Sequence, residues 1–252
     1  MTKDEALIAY TLRLADNALI LSQRMIELVA AEPELEEELA NANFALDFIG
    51  QARMFYTHAG ELEGQGRSED DFAFMRDEDE FRNLLLLEQP NGHFGDALVR
   101  QFLFETFYFH LLEALTNCSD KGLVEVAARA IKEVKYHCRH SSLWLVRLGD
   151  GTELSHERAQ AALDDVWRYT GEMFVADDID VAVQEGFEGP DLDAIRELWL
   201  RDVEKTVAEA TLRLPEDQWM ASGGKQGQHS EHLGFMLAEM QYLQRSFPGE
   251  TW

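Results

Sequence analysis

Residues 126–137 read Val-Ala-Ala-Arg-Ala-Ile-Lys-Glu-Val-Lys-Tyr-His. Val126, Ala130, Glu133 and His137 recur three or four residues apart, and Trp144 continues the row, which is one face of an α-helix. An acid and an imidazole therefore sit in the middle of a stripe that is otherwise apolar. The same pattern recurs upstream. Leu98, Phe102, Glu105, Phe109 and Leu112 form one such row, and Phe44, Asp47, Gln51 and Phe55 another, with Gly50 beside it. Tyr10, Arg13, Asn17 and Ile20 form the last. Four long helices, each with polar groups on its inward stripe, set the frame.

Working outward, helical spacing covers nearly the whole chain. The four helices are expected at about 4–31, from Pro33 in a first turn to about 58, at 95–117 and at 121–148. Pro suits a first turn because its missing N–H costs nothing there. Short helical pieces are expected at 72–75 and 78–87, before Pro90-Asn-Gly92 breaks the chain. Beyond Gly149-Asp-Gly151, Ser155 is a candidate N-cap for a fifth helix reaching about 184. A sixth follows at 191–212, and a last at 230–245. No strand alternation persists for more than a few residues. Two helix pairs, each with a tight turn inside and a long connection between them, match the one-crossover topology of ferritin-like bundles. The expectation is an all-α, ferritin-like four-helix bundle forming a single domain over 1–252, with its core at about 4–148 and packing helices at about 155–247.

Charge narrows the partners. The 252 residues carry 22 Lys and Arg against 48 Asp and Glu, a formal net charge of −26. Such a surface repels nucleic-acid phosphates and anionic lipid, since either needs a basic footprint. No run approaches 18 apolar residues, so no membrane span is expected. A hydrophobic content of 46% rules out a disordered acidic tail. Cys118 and Cys138 are too few for a disulfide framework and read as small apolar residues in a reducing compartment. With acids at the N-terminus where a secretory signal needs positive charge, the expected location is the cytoplasm.

The inward acids are the informative feature, because a lone buried carboxylate costs several kcal/mol unless it is paired or bound to metal. In di-iron carboxylate bundles two helices each give a Glu and the other two each give Glu-x-x-His. Asn17, Asp47, Glu105 and Glu133 stand near the corresponding positions. The residues three further on are Gly50 after Asp47, which has no donor atom, and Tyr136 after Glu133, an unusual ligand. Asp16 lies next to neutral Asn17 but on a different face. The set is expected to be vestigial, with no metal and no catalytic residue in this chain. An internal polar network is the preferred expectation, neutralised by Arg13, Arg53, Arg100 or a protonated His137. The alternative is a self-sufficient di-iron oxygenase or ferroxidase using Asp47, Glu105 and Glu133, with His137 as a displaced ligand.

Other motifs carry less. His137 and His140 with Glu133 lack the His-Glu-x-x-His order of zinc hydrolases, and His229-Ser-Glu-His232 fits helix capping. Gly223-Gly-Lys-Gln-Gly227 lacks phosphate-loop spacing and reads as a flexible connection. The acids at 34–38 and 69–71 read as solvated faces.

Longer stretches carry a resemblance. Ala9-Tyr-Thr-Leu-Arg-Leu-Ala-Asp-Asn17, Asn43-Phe-Ala-Leu-Asp-Phe-Ile-Gly-Gln-Ala-Arg53, Asn83-Leu-Leu-Leu-Leu-Glu-Gln-Pro-Asn-Gly92 and Ala130-Ile-Lys-Glu-Val-Lys-Tyr-His137 resemble the structural (C) subunits of bacterial phenylacetyl-CoA 1,2-epoxidases. So do His229-Ser-Glu-His-Leu-Gly234 and Leu237-Ala-Glu-Met-Gln-Tyr-Leu-Gln-Arg245. The resemblance implies a subunit of a multicomponent oxygenase that epoxidises the ring of phenylacetyl-CoA in aerobic phenylacetate breakdown. It implies that iron and catalysis belong to a sister ferritin-like subunit, and that a small bridging subunit and an NADPH-dependent flavin/iron–sulfur reductase complete the complex. It also suggests that Glu80, Phe81, Arg82 and Asn83, and on weaker grounds Val181, Ala182 and Val183, lie near bound acyl-CoA or a partner. An Arg82 paired with Glu78 on a helix surface is the plain alternative. An acidic adaptor unrelated to oxygenation would explain the charge but not the internal acids.

Overall fold

The computed structural model describes residues 1–29, 31, 33–216 and 219–250. Among them the chain forms eleven α-helices and no strand, the all-α, ferritin-like arrangement expected. Helix α1 (Lys3–Ile26) packs along α2 (Leu35–Glu63), and α5 (Phe94–Leu115) along α6 (Lys121–Gly149). Contacts between α2 and α6 join the two pairs. One apolar core runs from Ala6 to Leu237 and is rich in aromatic rings.

Boundaries differ from expectation where side chains intercept the backbone. Helix α1 starts in a capping box between Thr2 and Glu5. It ends at Ile26, not near 31, because Asn91 and Asn41 donate to the Arg24 and Met25 carbonyls at 2.8 and 2.7 Å. Pro33 lies outside the next helix, whose N-cap is Glu34. That helix runs on to Glu63 and stops at Gly64, with φ +66° in the left-handed region that glycine tolerates.

The connection between the pairs contains α3 (Glu69–Phe74), a 3-10 turn at Glu78–Glu80 and α4 (Leu85–Glu88). It is a buried strap: Phe81, Leu84, Leu86 and Leu87 are all within 2% of full burial. The expected fifth helix is two. Helix α7 (Glu153–Val166) is capped by Thr152, with Ser155 as its reciprocal partner. Two 3-10 turns follow, and Asp177 then caps α8 (Asp178–Phe187) by accepting from the Ile179 and Asp180 N–H groups. Helix α9 (Leu192–Glu209) and α7 cover α5, while α8 covers α1. The last helix is also split, into α10 (Glu231–Met240) and α11 (Tyr242–Ser246), at Gln241. Gln241 donates from its amide to the Ala73 and Arg76 carbonyls, which ties the C-terminal helices to the strap.

Candidate functional site

The inward acids fall into two separate polar interiors. The first lies between α2, α5 and α6. Glu105 is 1% exposed and accepts from the Ser141 hydroxyl at 2.7 Å. Burial pushes its carboxyl up to about 7, against the opposing pull of His137 and Ser141. His137, fully buried, reaches Asp47 through Nε2 at 2.9 Å. Gln51 donates to Glu133 at 2.9 Å. Aromatic rings pack around this cluster: Phe44 and Phe48 lie 4.3 and 5.2 Å from the His137 ring, and Phe48 in turn meets Phe104 and Tyr108.

These positions do not fit a di-iron centre. Asp47 is 39% exposed and committed to His137. Glu133 is half-buried, and Tyr136 is 60% exposed, turned outward against the edge of Phe44. Gly50 offers no donor, and a Cβ built on it meets nothing within 4 Å. Asn17 belongs elsewhere, its side-chain oxygen accepting from the Leu84 N–H at 2.8 Å. Among the described residues, no three His, Cys, Asp or Glu side chains are placed to hold a metal ion.

The expected neutralisers are placed differently too. Neither Glu105 nor Glu133 meets Arg13, Arg53 or Arg100. Arg53 pairs with Glu69, while Arg100, 1% exposed, donates to the Gln89 carbonyl and to Asn91. Among the described residues Arg100 forms no ion pair, and burial together with the nearby Arg24 charge lowers it to about 9 against the weaker opposing pull of Glu27 and Asp96. A hydroxyl, an amide and an imidazole, not a guanidinium, meet the bundle's acids.

The second interior lies between α1, the strap and the C-terminal loop. Asp16, fully buried, is its centre. It accepts from Tyr56 at 2.6 Å and from the Arg82 N–H at 2.8 Å, and it forms an ion pair with Arg76. Arg13 binds Asp177 and Asp180 at 2.7 and 2.9 Å, and Lys225 also meets Asp180. Burial would raise Asp177, but Arg13 outweighs it and holds the carboxyl down at about 2. Glu172 accepts from the N–H groups of Leu85 and Gly223 at 2.9 and 2.8 Å. The glycine-rich segment is thus pinned rather than flexible. A cavity of about 20 Å³ is lined by Arg13, Asn17, Asp180 and Lys225, among others.

His229 completes this interior. Its Nδ1 meets Glu88 at 2.9 Å and its Nε2 the Phe81 carbonyl at 3.0 Å. The Phe81 carbonyl can only accept, so Nε2 donates to it, and a protonated ring would donate from both nitrogens. Burial acts against that charge, but the hydrogen bonds to Glu88 and Phe81 prevail and raise its pKa.

Of the residues expected near acyl-CoA or a partner, Phe81, Arg82 and Asn83 touch this second interior, through His229, Asp16 and Glu88. Phe81, Asn83 and Val183 are fully buried within the chain. Glu80 and Val181 are exposed, and Arg82 and Ala182 half-buried. The Arg82 guanidinium donates to the Asp79 and Phe81 carbonyls, not to Glu78. Sequence reasoning missed Asp16, Glu88 and Glu172 as buried acids. The signal for Asp16 was its place one residue from the Asn17 stripe, on a helix buried on most of its circumference.

Comparison with known proteins gives the family. The family described as phenylacetic acid catabolic protein matches residues 1–252. The chain is 50% identical, over 246 residues, to a protein of Escherichia coli (strain K12) named as the C subunit of 1,2-phenylacetyl-CoA epoxidase. The match covers 98% of this chain and 99% of that protein. This all-α, ferritin-like chain, matched over residues 1–252, belongs to the phenylacetic acid catabolic protein family.

Proposed function

We propose that this chain is the non-catalytic, structural subunit of a multicomponent phenylacetyl-CoA 1,2-epoxidase in aerobic phenylacetate breakdown. In this reading a sister subunit carries the di-iron centre. A small bridging subunit and an NADPH-dependent reductase complete the assembly, which works in the cytoplasm. The supporting observation is the donor set of the first interior. Of the six ligand positions, Gly50 has no donor, Tyr136 faces solvent and Asn17 is held by the strap. Glu105, Glu133 and Asp47 are engaged by Ser141, Gln51 and His137.

Such a chain contributes rigidity. Its core and strap hold helix faces in fixed register for a partner, and its acidic surface steers association. Contact with acyl-CoA falls, in this reading, to Glu80 and Arg82 on the strap and to Val181 on α8. The test is reconstitution with the di-iron subunit. Epoxidation of phenylacetyl-CoA is expected to require both chains and to survive Glu133→Ala in this one. Turnover by this chain alone, abolished by that substitution, would overturn the reading.

A further inference from the structure

Helix α6 stands apart electrostatically. It carries six of the 22 basic residues, Lys121, Arg129, Lys132, Lys135, Arg139 and Arg147, against two acids, in a chain of net charge −26. All six are exposed. At about 100° per residue they fall within an outward arc of about 120°, and from first to last they span about 39 Å of helix. Some exposed arginines elsewhere find carboxylates, Arg53 with Glu69, Arg67 with Glu63 and Arg245 with Asp77, while Arg158, Arg196 and Arg213 stand singly among the described residues; only on α6 do six cations line up on one face. Among the described residues, none of the six on α6 is in ion-pair contact with an acid. Lys132, Lys135 and Arg139 are also i, i+3 and i+4 neighbours of like charge, which weakens an isolated helix.

Two further features mark this face. Tyr136 and Leu143, 60% and 49% exposed, stand among the cations as apolar anchors. Grooves also run along both flanks. The one against α2 has a volume of about 650 Å³ and is lined in part by Gly50, Gly122 and Arg129. The other, of about 530 Å³, runs against α5 and α9 and is lined in part by Lys135 and Arg139. The helix is a ridge between two troughs.

We infer that the outward face of α6 is a docking ridge for an acidic, amphipathic helix of a partner protein. Its acids meet the basic row, and its apolar residues cover Tyr136 and Leu143. Charge complementarity identifies the occupant. The cations are strung along the helix instead of converging, which suits a long acidic protein surface and not a compact phosphate group. A second copy of this chain is a poor occupant, because two bodies of charge −26 repel. The inference rests on the subunit reading above and says which surface of the chain makes the assembly.

The experiment titrates the full-length chain against the purified di-iron subunit and the small bridging subunit, at low and at raised salt. Three proteins are compared: wild type, the α6 triple reversal K132E/K135E/R139E, and a control reversal, R158E/R196E/R213E, at exposed positions elsewhere. Unfolding curves establish that both variants fold. Docking on α6 predicts that one partner binds wild type, that the α6 reversal slows its association roughly tenfold or more and flattens the salt dependence, and that the control does neither. Unchanged binding by the α6 reversal, or an equal loss in the control, overturns the inference while the subunit reading stands. If wild type binds neither partner, the subunit reading falls and this inference with it.

Discussion

Replacing Glu105 by Gln should stabilise the isolated chain, and only at neutral to alkaline pH. Glu105 is 1% exposed, with the Ser141 hydroxyl and the His137 ring as its polar company, and its pKa is raised from 4.5 to about 7 by burial. The native state therefore binds more protons than the unfolded state between those values, and stability from this group falls as pH rises through that window. At about 1.4 kcal/mol per pKa unit, the full penalty is about 3.5 kcal/mol once Glu105 is ionised. Near pH 5 most of it is absent. Glu105→Gln keeps an acceptor for Ser141 and removes the charge. Urea unfolding at pH 5 and at pH 8 gives two differences between variant and wild type. The variant is expected to gain roughly 2 to 3 kcal/mol between the two pH values. Constant effects of the amide on packing cancel in that comparison. A difference that does not move with pH, or moves the other way, refutes the placement of an uncompensated carboxyl in this interior.

His229 gives the opposite slope. Its raised pKa means that its stabilisation is complete below about 6.5, its ordinary value, and disappears as pH rises through the folded value. His229→Gln should therefore cost about 1.5–3 kcal/mol in mildly acidic buffer and much less in alkaline buffer, read from unfolding curves. Asp16→Ala leaves Arg76 buried without its carboxylate and should destabilise by about 3–5 kcal/mol in the same assay. Two glycines on α2 should part company: Gly50→Ala raises stability by about 0.5–1 kcal/mol. Gly60→Ala lowers it, because a Cβ there lies 2.6 Å from the Arg67 carbonyl oxygen; thermal unfolding of the two variants decides.

Much of the bundle was legible in the sequence, for a physical reason. Apolar spacing over more than 20 residues, as in α5 and α6, reports burial directly, and Asp120 and Gly149 near their ends agree with it. The breaks in the later helices were not legible. They depend on side chains from distant segments, such as Gln241 reaching Ala73 and Glu172 collecting N–H groups from Leu85 and Gly223. Local periodicity contains none of that information. The same holds for the site. That Glu105 faces inward followed from its stripe, and the shortage of donors at Gly50 and Tyr136 followed from residue type alone. Which cation meets which acid did not. Arg13 and Arg53, plausible partners by position, turn to Asp177 and Glu69, and the partner of Asp16 is Arg76, 60 residues away. Pairings of this kind are set by how the strap lies on α1, a tertiary fact.

The measurement that bears most directly on the central claim is iron content. The chain is to be expressed alone in iron-rich medium, purified without chelator, and assayed for bound metal beside the di-iron subunit prepared in the same way. A bundle whose ligand positions are occupied by Ser141, Gln51 and His137 contacts should hold well under one iron per chain, with no change on Glu133→Ala. Two tightly bound irons per chain, lost on that substitution, would contradict the account.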